Sequence, residues 1–145
     1  MLGNLLRHLA APPKVLPPEE SRVALAALMV RLCRSDGSYS DTERHRIDAT
    51  LARHYRLPRD AAALVRAEAE ELEAAAQDTV QFTRLVKEAV PYEERAGIVE
   101  ALWRVAAADG INADEHGLMR LVASLLGVGD VDSGLARQRA LRGEG

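Results

Sequence analysis

Aromatic side chains are scarce, with one Trp, one Phe and three Tyr in 145 residues. No stretch alternates β-branched with polar residues, which argues against a sandwich or a barrel. The single cysteine, Cys33, has no partner for an internal disulfide. It lies in the apolar stretch LMVRLC and reads as a buried thiol. Neither sign of charge dominates: 19 Lys and Arg stand against 22 Asp and Glu, a formal net charge of −3. That balance disfavours a basic nucleic-acid binder, so no nucleic-acid partner is expected. The longest apolar runs fall far short of a bilayer-spanning helix, so no integral membrane segment is expected. The opening MLGNLLRHLAAPPK lacks a basic leader before its apolar stretch. It reads as a short amphipathic helix rather than an export signal, and a cytoplasmic protein is the expectation.

What is present is helix-forming. Ala, Leu, Arg and Glu dominate, and all four favour helix. The length suits one compact domain. Prolines punctuate the chain: Pro12, Pro13, Pro17 and Pro18 set off residues 1–17 as a short helix and linker, leaving 18–142 as a single all-helical domain. Pro58 and Pro91 stand where a first helical turn tolerates them. The apolar period predicts helices near 2–10, 18–35, 40–55, 59–75, 78–89, 91–108, 114–126 and 131–141.

An internal repeat is visible. PEESRVALAALMVRLCRSDG (18–37) overlays PYEERAGIVEALWRVAAADG (91–110) with a shift of 73 residues, Asp36 to Asp109. Leu25, Leu28, Met29 and Leu32 then fall on Ile98, Ala101, Leu102 and Val105, each set spaced as one helix face. The expected fold is an all-α bundle of seven to eight helices with a pseudo-twofold repeat of helix, Asp-Gly loop and helix. The second loop is shorter by one or two residues. VALAALMVRLC is apolar nearly all round and belongs at the centre, while Trp103 supplies the largest single apolar area. Ala61, Leu64, Val65 and Leu72, then Phe82, Leu85, Val86 and Ala89, are expected to form the wall, and Leu118, Leu121, Val122 and Leu125 the stripe of the last repeat helix. AEAEELEAAA (67–76) reads as a solvated acidic face.

The loops SDGSYSDTE (35–43) and ADGINADEH (108–116) carry the chemistry. Two readings stay open. In one, glycine closes a helix and Ser40 with Glu43 forms a capping box over the next. In the other, Asp36, Asp41, Glu43, Asp109, Asp114 and Glu115 gather around a divalent cation (Ca, Mg, Mn or Zn), although the spacing is not that of an EF-hand. His45 and His116 lie near the loops and suit a softer metal. His54 shares a face with Ile47 and Leu51 and reads as a packed or half-buried imidazole rather than a ligand. No phosphate loop, nucleophile elbow or di-metal Glu-x-x-His pair occurs, so no enzyme is expected.

The run QFTRLVKEAVPYEERAGIVEALWRVAAADG (81–110), followed by LMRLVASLLGV (118–128), resembles the TerB-like family. That family groups the tellurite-resistance protein TerB with the N-terminal domain of the DjlA co-chaperones. The likeness covers residues 20–140 and is nearest to the family's stand-alone branch. VEALWRVAAADG (99–110) is its most specific piece, with SDGSYSDTE as the matching first loop. The resemblance implies an all-α, pseudo-twofold fold and acidic loop residues suggested to bind metal: Asp36 and Glu43 in the first loop, Asp109 and Glu115 in the second. Glu100 matches a recurrent acidic position. The second loop departs from the family pattern, being one residue short, with Glu115-His116-Gly117 in place of the usual acidic ending. Two functions follow as expectations. One is a non-enzymatic, stress-associated binding or adaptor module that takes a divalent cation. The other is a structural, co-chaperone-like interaction domain, as a homodimer or with a protein partner, docked through Leu2, Leu5, Leu6 and Leu9 of the N-terminal helix.

Overall fold

The computed structural model describes residues 18–35, 39–75, 79–90, 92–106 and 113–142. Seven α-helices fill them: α1 (Pro18–Arg34), α2 (Asp41–Tyr55), α3 (Arg59–Ala75), α4 (Thr79–Ala89), α5 (Arg95–Ala106), α6 (Ala113–Leu125) and α7 (Asp130–Arg142). A 3-10 turn, Tyr92–Glu94, leads into α5. Among the described residues there is no strand, and the all-α bundle expected from the apolar period is the fold observed. The expected helix at 2–10, with Leu2, Leu5, Leu6 and Leu9, lies outside the described residues.

α1 is the axis of the bundle. Every residue from Val23 to Val30 is buried, followed by Leu32 and Cys33. Such a helix has no solvent face, so its neighbours must surround it: it packs on α3, α4 and α5, with lighter contacts to α2 and α6. α5 buries Ile98, Val99, Ala101, Leu102, Trp103, Val105 and Ala106, and lies mainly against α7. Fully burying one Leu of this core contributes about 1.5–3 kcal/mol. The Trp103 indole keeps its polar edge satisfied, its Nε1–H donating to Ser133 Oγ at 3.2 Å.

Two expected stripes, one of the wall and that of the last repeat helix, each need correction at one position. Leu72 is buried and Val65 packs against the core, but Leu64 is 68% exposed. In α6 Met119, Val122 and Ala123 are buried and Leu118 packs against the core, with Leu126 buried in the turn that follows, while Leu121 is exposed. Both differences have one cause. A broad apolar arc on a helix leaves its rotation ambiguous by about one residue, about 100°, and packing decides it.

Two turns close identically. After α2, Leu57 N–H donates to Ala52 C=O at 2.9 Å and Ala62 N–H to Pro58 C=O at 3.0 Å. After α6, Val128 N–H donates to Ala123 C=O at 2.9 Å and Ser133 N–H to Gly129 C=O at 2.9 Å. Each pair of partners is 71 residues apart, Leu57 to Val128 and Ala52 to Ala123. The residue before each donor is left-handed, Arg56 with φ 55° and Gly127 with φ 80°, as this 6→1 helix ending requires. α1 against α3 and α5 against α7 are the two most extensive helix contacts.

Candidate functional site

Ser40 begins α2 in extended conformation. Its Oγ accepts from Glu43 N–H at 3.2 Å, and Glu43 Oε1 accepts from Ser40 N–H at 2.9 Å. This is the capping box read from SDTE, and it engages the Glu43 carboxylate. Asp41 Oδ1 accepts from Arg44 Nη1 at 2.6 Å. So the two cation-ligand candidates whose side chains are described are held by a helix terminus and an arginine. Asp36 and Asp109 lie outside the described residues, and Asp114 and Glu115 are placed only by their backbone at the start of α6. Among the described residues no group of three His, Cys, Asp or Glu is arranged to hold a metal.

The described part of the segment 67–76 is a solvated face only in part: Glu71 is exposed, while Glu70 and Glu73 are half-buried and paired. Glu73 accepts from Arg31 Nε and from Arg34 Nη1, each at 3.1 Å, and its side chain is 11% exposed. Glu70 Oε2 accepts from Tyr39 Oη at 2.7 Å, Arg66 Nη1 at 3.2 Å and Arg44 Nε at 3.3 Å. Burial pushes the Glu70 carboxyl up, but these hydrogen bonds and the arginine charges hold it below its ordinary value. Burial, and then its bond to Glu70, raises the Tyr39 phenol. The Tyr39 ring meets the guanidinium carbons of Arg44 at 4.6 Å and Arg34 at 5.1 Å. Buried Asp48 takes a two-pronged contact from Arg66, Nε at 2.7 Å and Nη2 at 3.4 Å. This network ties α1, α2 and α3 together. Its sequence signal, arginines on α1 and α2 against glutamates on α3, crosses helices and is invisible to single-helix patterning.

A groove runs between the end of α2 and the start of α5. Its first chamber, about 260 Å³, is lined by Thr50, Arg53, His54, Arg56, Glu100 and Arg104 around Gly97 and Ala101. The second, about 460 Å³, is lined by Ser21, Tyr55, Val90, Glu93, Glu94 and Ile98. His54 and Gly97 border both. Glu100 is fixed on its α5 side, Oε2 accepting from Arg104 Nη2 of the same helix at 2.9 Å and Oε1 from Arg139 Nε of α7 at 2.6 Å. Burial raises its carboxyl, and the hydrogen bonds from Arg139 and Arg104 bring it below the ordinary value. Burial lowers the His54 imidazole, with Glu100 and Glu94 pulling it up. The His54 ring meets Tyr55 edge-on at 4.7 Å. It borders both chambers as a partly buried imidazole. Burial drives the Tyr55 phenol up to about 12.

The groove's far lip is fixed by Arg95. Its Nε donates to Val90 C=O at 3.2 Å and its Nη2 to Lys87 C=O at 3.1 Å, so it caps the orphan carbonyls of α4. Its guanidinium also lies 5.5 Å from the Tyr92 ring centroid. The 3-10 turn that carries Glu93 and Glu94 is thereby anchored to two helices.

The arrangement offers charged groups for recognition. Among the described residues it brings no side-chain nucleophile against a general base. No described helix is long and apolar enough to cross a membrane. A family model described as tellurite resistance protein TerB matches residues 22–138. No curated protein and no solved structure matches. The match spans most of the 145 residues and the all-α bundle agrees with it, so the chain belongs to the TerB family.

Proposed function

We propose that this chain is a non-enzymatic, stress-associated binding module of the TerB family, working in the cytoplasm through the groove between α2 and α5. The observation that carries the reading is Glu100. A carboxylate already flagged by its place in VEALW is held between Arg104 and Arg139 and faces a ligand-sized groove. Small-molecule sites are concave, largely pre-formed and marked by a few fixed polar groups. The groove has these features: it is concave, and Glu100 is held in place by two arginines.

The test is amide chemical-shift mapping against a library of small polar compounds. Binders are expected to perturb a contiguous set around Thr50, His54, Gly97 and Glu100. Perturbations confined to other surfaces, or none at all, overturn the reading.

A second reading, a divalent cation held by the duplicated Asp-Gly loops, is favoured by Asp41, whose side chain is 85% exposed at a helix N-terminus. Ligation there has to compete with Arg44. Calcium, magnesium, manganese and zinc are to be titrated while the melting temperature is followed. Asp36→Asn with Asp109→Asn is expected to abolish any shift. A melting temperature that no ion moves removes this reading.

A further inference from the structure

The two chambers of the groove carry opposite charge. Arg53, Arg56 and Arg104 line the first, against one carboxylate, Glu100, whose oxygens are already shared by Arg104 and Arg139. Glu93 and Glu94 line the second, beside the apolar walls of Val90 and Ile98. An arginine-rich chamber prefers a carboxylate or phosphate. Here Glu100 offsets part of the positive charge, so a singly charged carboxylate fits better than a doubly charged phosphate. The acidic lip at the other end then selects a cation joined to that anion.

Arg56 adds an independent observation. It stands in the left-handed conformation, where the matching turn of the second half has Gly127. A side chain other than glycine is disfavoured there. Outliers of this kind concentrate at functional positions. Arg56 also has no side-chain hydrogen bond or ion pair with another described residue, so its guanidinium remains available in the groove.

We infer that the groove binds a short peptide with both termini free, its carboxylate between Arg56 and Arg104 and its ammonium toward Glu93 and Glu94. Val90 and Ile98 receive an apolar side chain in between. The inference rests on the binding-module reading of the same groove and names its ligand class. Gly97 borders both chambers, and a Cβ built on it meets nothing within 4 Å. The backbone between the two ends is therefore open to a ligand.

The experiment is calorimetric titration of the full chain with the tripeptide Ala-Leu-Ala in three forms: free, C-terminally amidated and N-terminally acetylated. The free form is expected to bind, and each cap to weaken it at least tenfold. Arg56→Gly is expected to lose at least tenfold in affinity while its melting temperature holds or rises, which separates lost recognition from lost fold. Gly97→Leu is expected to block binding with the helix intact. Equal binding of all three forms within the groove overturns the dipolar ligand and leaves the binding-module reading standing. Binding of inorganic phosphate in preference to the free peptide does the same. Absence of binding by the free peptide overturns the peptide assignment, and the amide mapping above then decides whether the groove binds anything.

Discussion

Arg56 and Gly127 occupy one position in two equivalent turns, and both are left-handed, with φ of 55° and 80°. Only glycine takes that conformation without a Cβ penalty of about 1–2 kcal/mol. Arg56→Gly is expected to stabilise the fold by about 1 kcal/mol, raising the melting temperature by roughly 3–5 °C. Gly127→Ala is expected to lose a similar amount through the backbone, since a Cβ there meets only Arg95 Nη1, at an ordinary 3.8 Å. Thermal denaturation by circular dichroism checks both. A fall for Arg56→Gly shows that the arginine stabilises the fold itself.

The same register carries a second comparison. Counting back from the two caps, Asp48 of α2 corresponds to Met119 of α6, and Arg66 of α3 to Arg137 of α7. Arg66 is forked onto Asp48. Arg137 instead lies 5.3 Å from the Trp103 ring, with a buried Nε that has no hydrogen-bond partner among the described residues. The second half thus builds with Met where the first builds with a buried ion pair. Asp48→Ala alone strands Arg66 beside a single acceptor, Glu70, and is expected to cost about 3 kcal/mol. Asp48→Met combined with Arg66→Leu removes both charges and is expected to stay within about 1 kcal/mol of the parent. Urea denaturation of the two variants measures the difference.

The legible part of the fold was local. α1 was readable because an all-apolar helix has only one place to go, and α2 because Ser40 to Glu43 spells its own cap. What was not legible depends on register between helices. Leu64 and Leu121 lie at the edge of apolar arcs, and only packing decides which edge faces water. Glu70 and Glu73 look like solvated charge until Arg31, Arg34, Arg44 and Arg66 arrive from positions 26–42 residues earlier, or four residues earlier on the same helix for Arg66. Of the site, Glu100 was marked in the sequence. Its partner Arg139 is 39 residues away and nothing local announces it. Arg56 carried no signal, since an arginine in a left-handed turn shows itself only in φ.

Perturbed titrations make the stability depend on pH at both ends. Glu70 and Glu100 titrate lower folded than unfolded, so in acid the unfolded chain binds more protons. Their stabilisation is complete above the unfolded value of about 4.3 and is lost as pH falls through the folded values. His54 is also lowered, so it opposes folding once pH drops below about 6.5. Tyr55 acts at the other end: its phenol is raised to about 12, and stability falls as pH climbs from its unfolded value toward that figure. Melting temperature measured against pH is expected to be flatter below pH ~4 in Glu70→Gln and Glu100→Gln, between pH ~5 and ~6.5 in His54→Gln, and above pH ~10 in Tyr55→Phe. An unchanged profile in any variant removes that group from the pH dependence.

Trp103 is the single tryptophan, and its Nε1–H donates to Ser133 Oγ inside the core. Ser133 corresponds to Ala62 in the first half, where Val30 stands in place of the indole. The hydroxyl is therefore specific to the half that needs an acceptor. Ser133→Ala leaves a buried donor without its partner and is expected to cost about 1–3 kcal/mol. It is expected to shift the indole emission, which has no competing tryptophan to mask it. Pairing Ser133→Ala with Trp103→Phe removes donor and acceptor together, so the further loss from the serine change is expected to be small. If Ser133→Ala costs as much in the Trp103→Phe background as in the parent chain, the serine acts through packing and the hydrogen bond contributes nothing net.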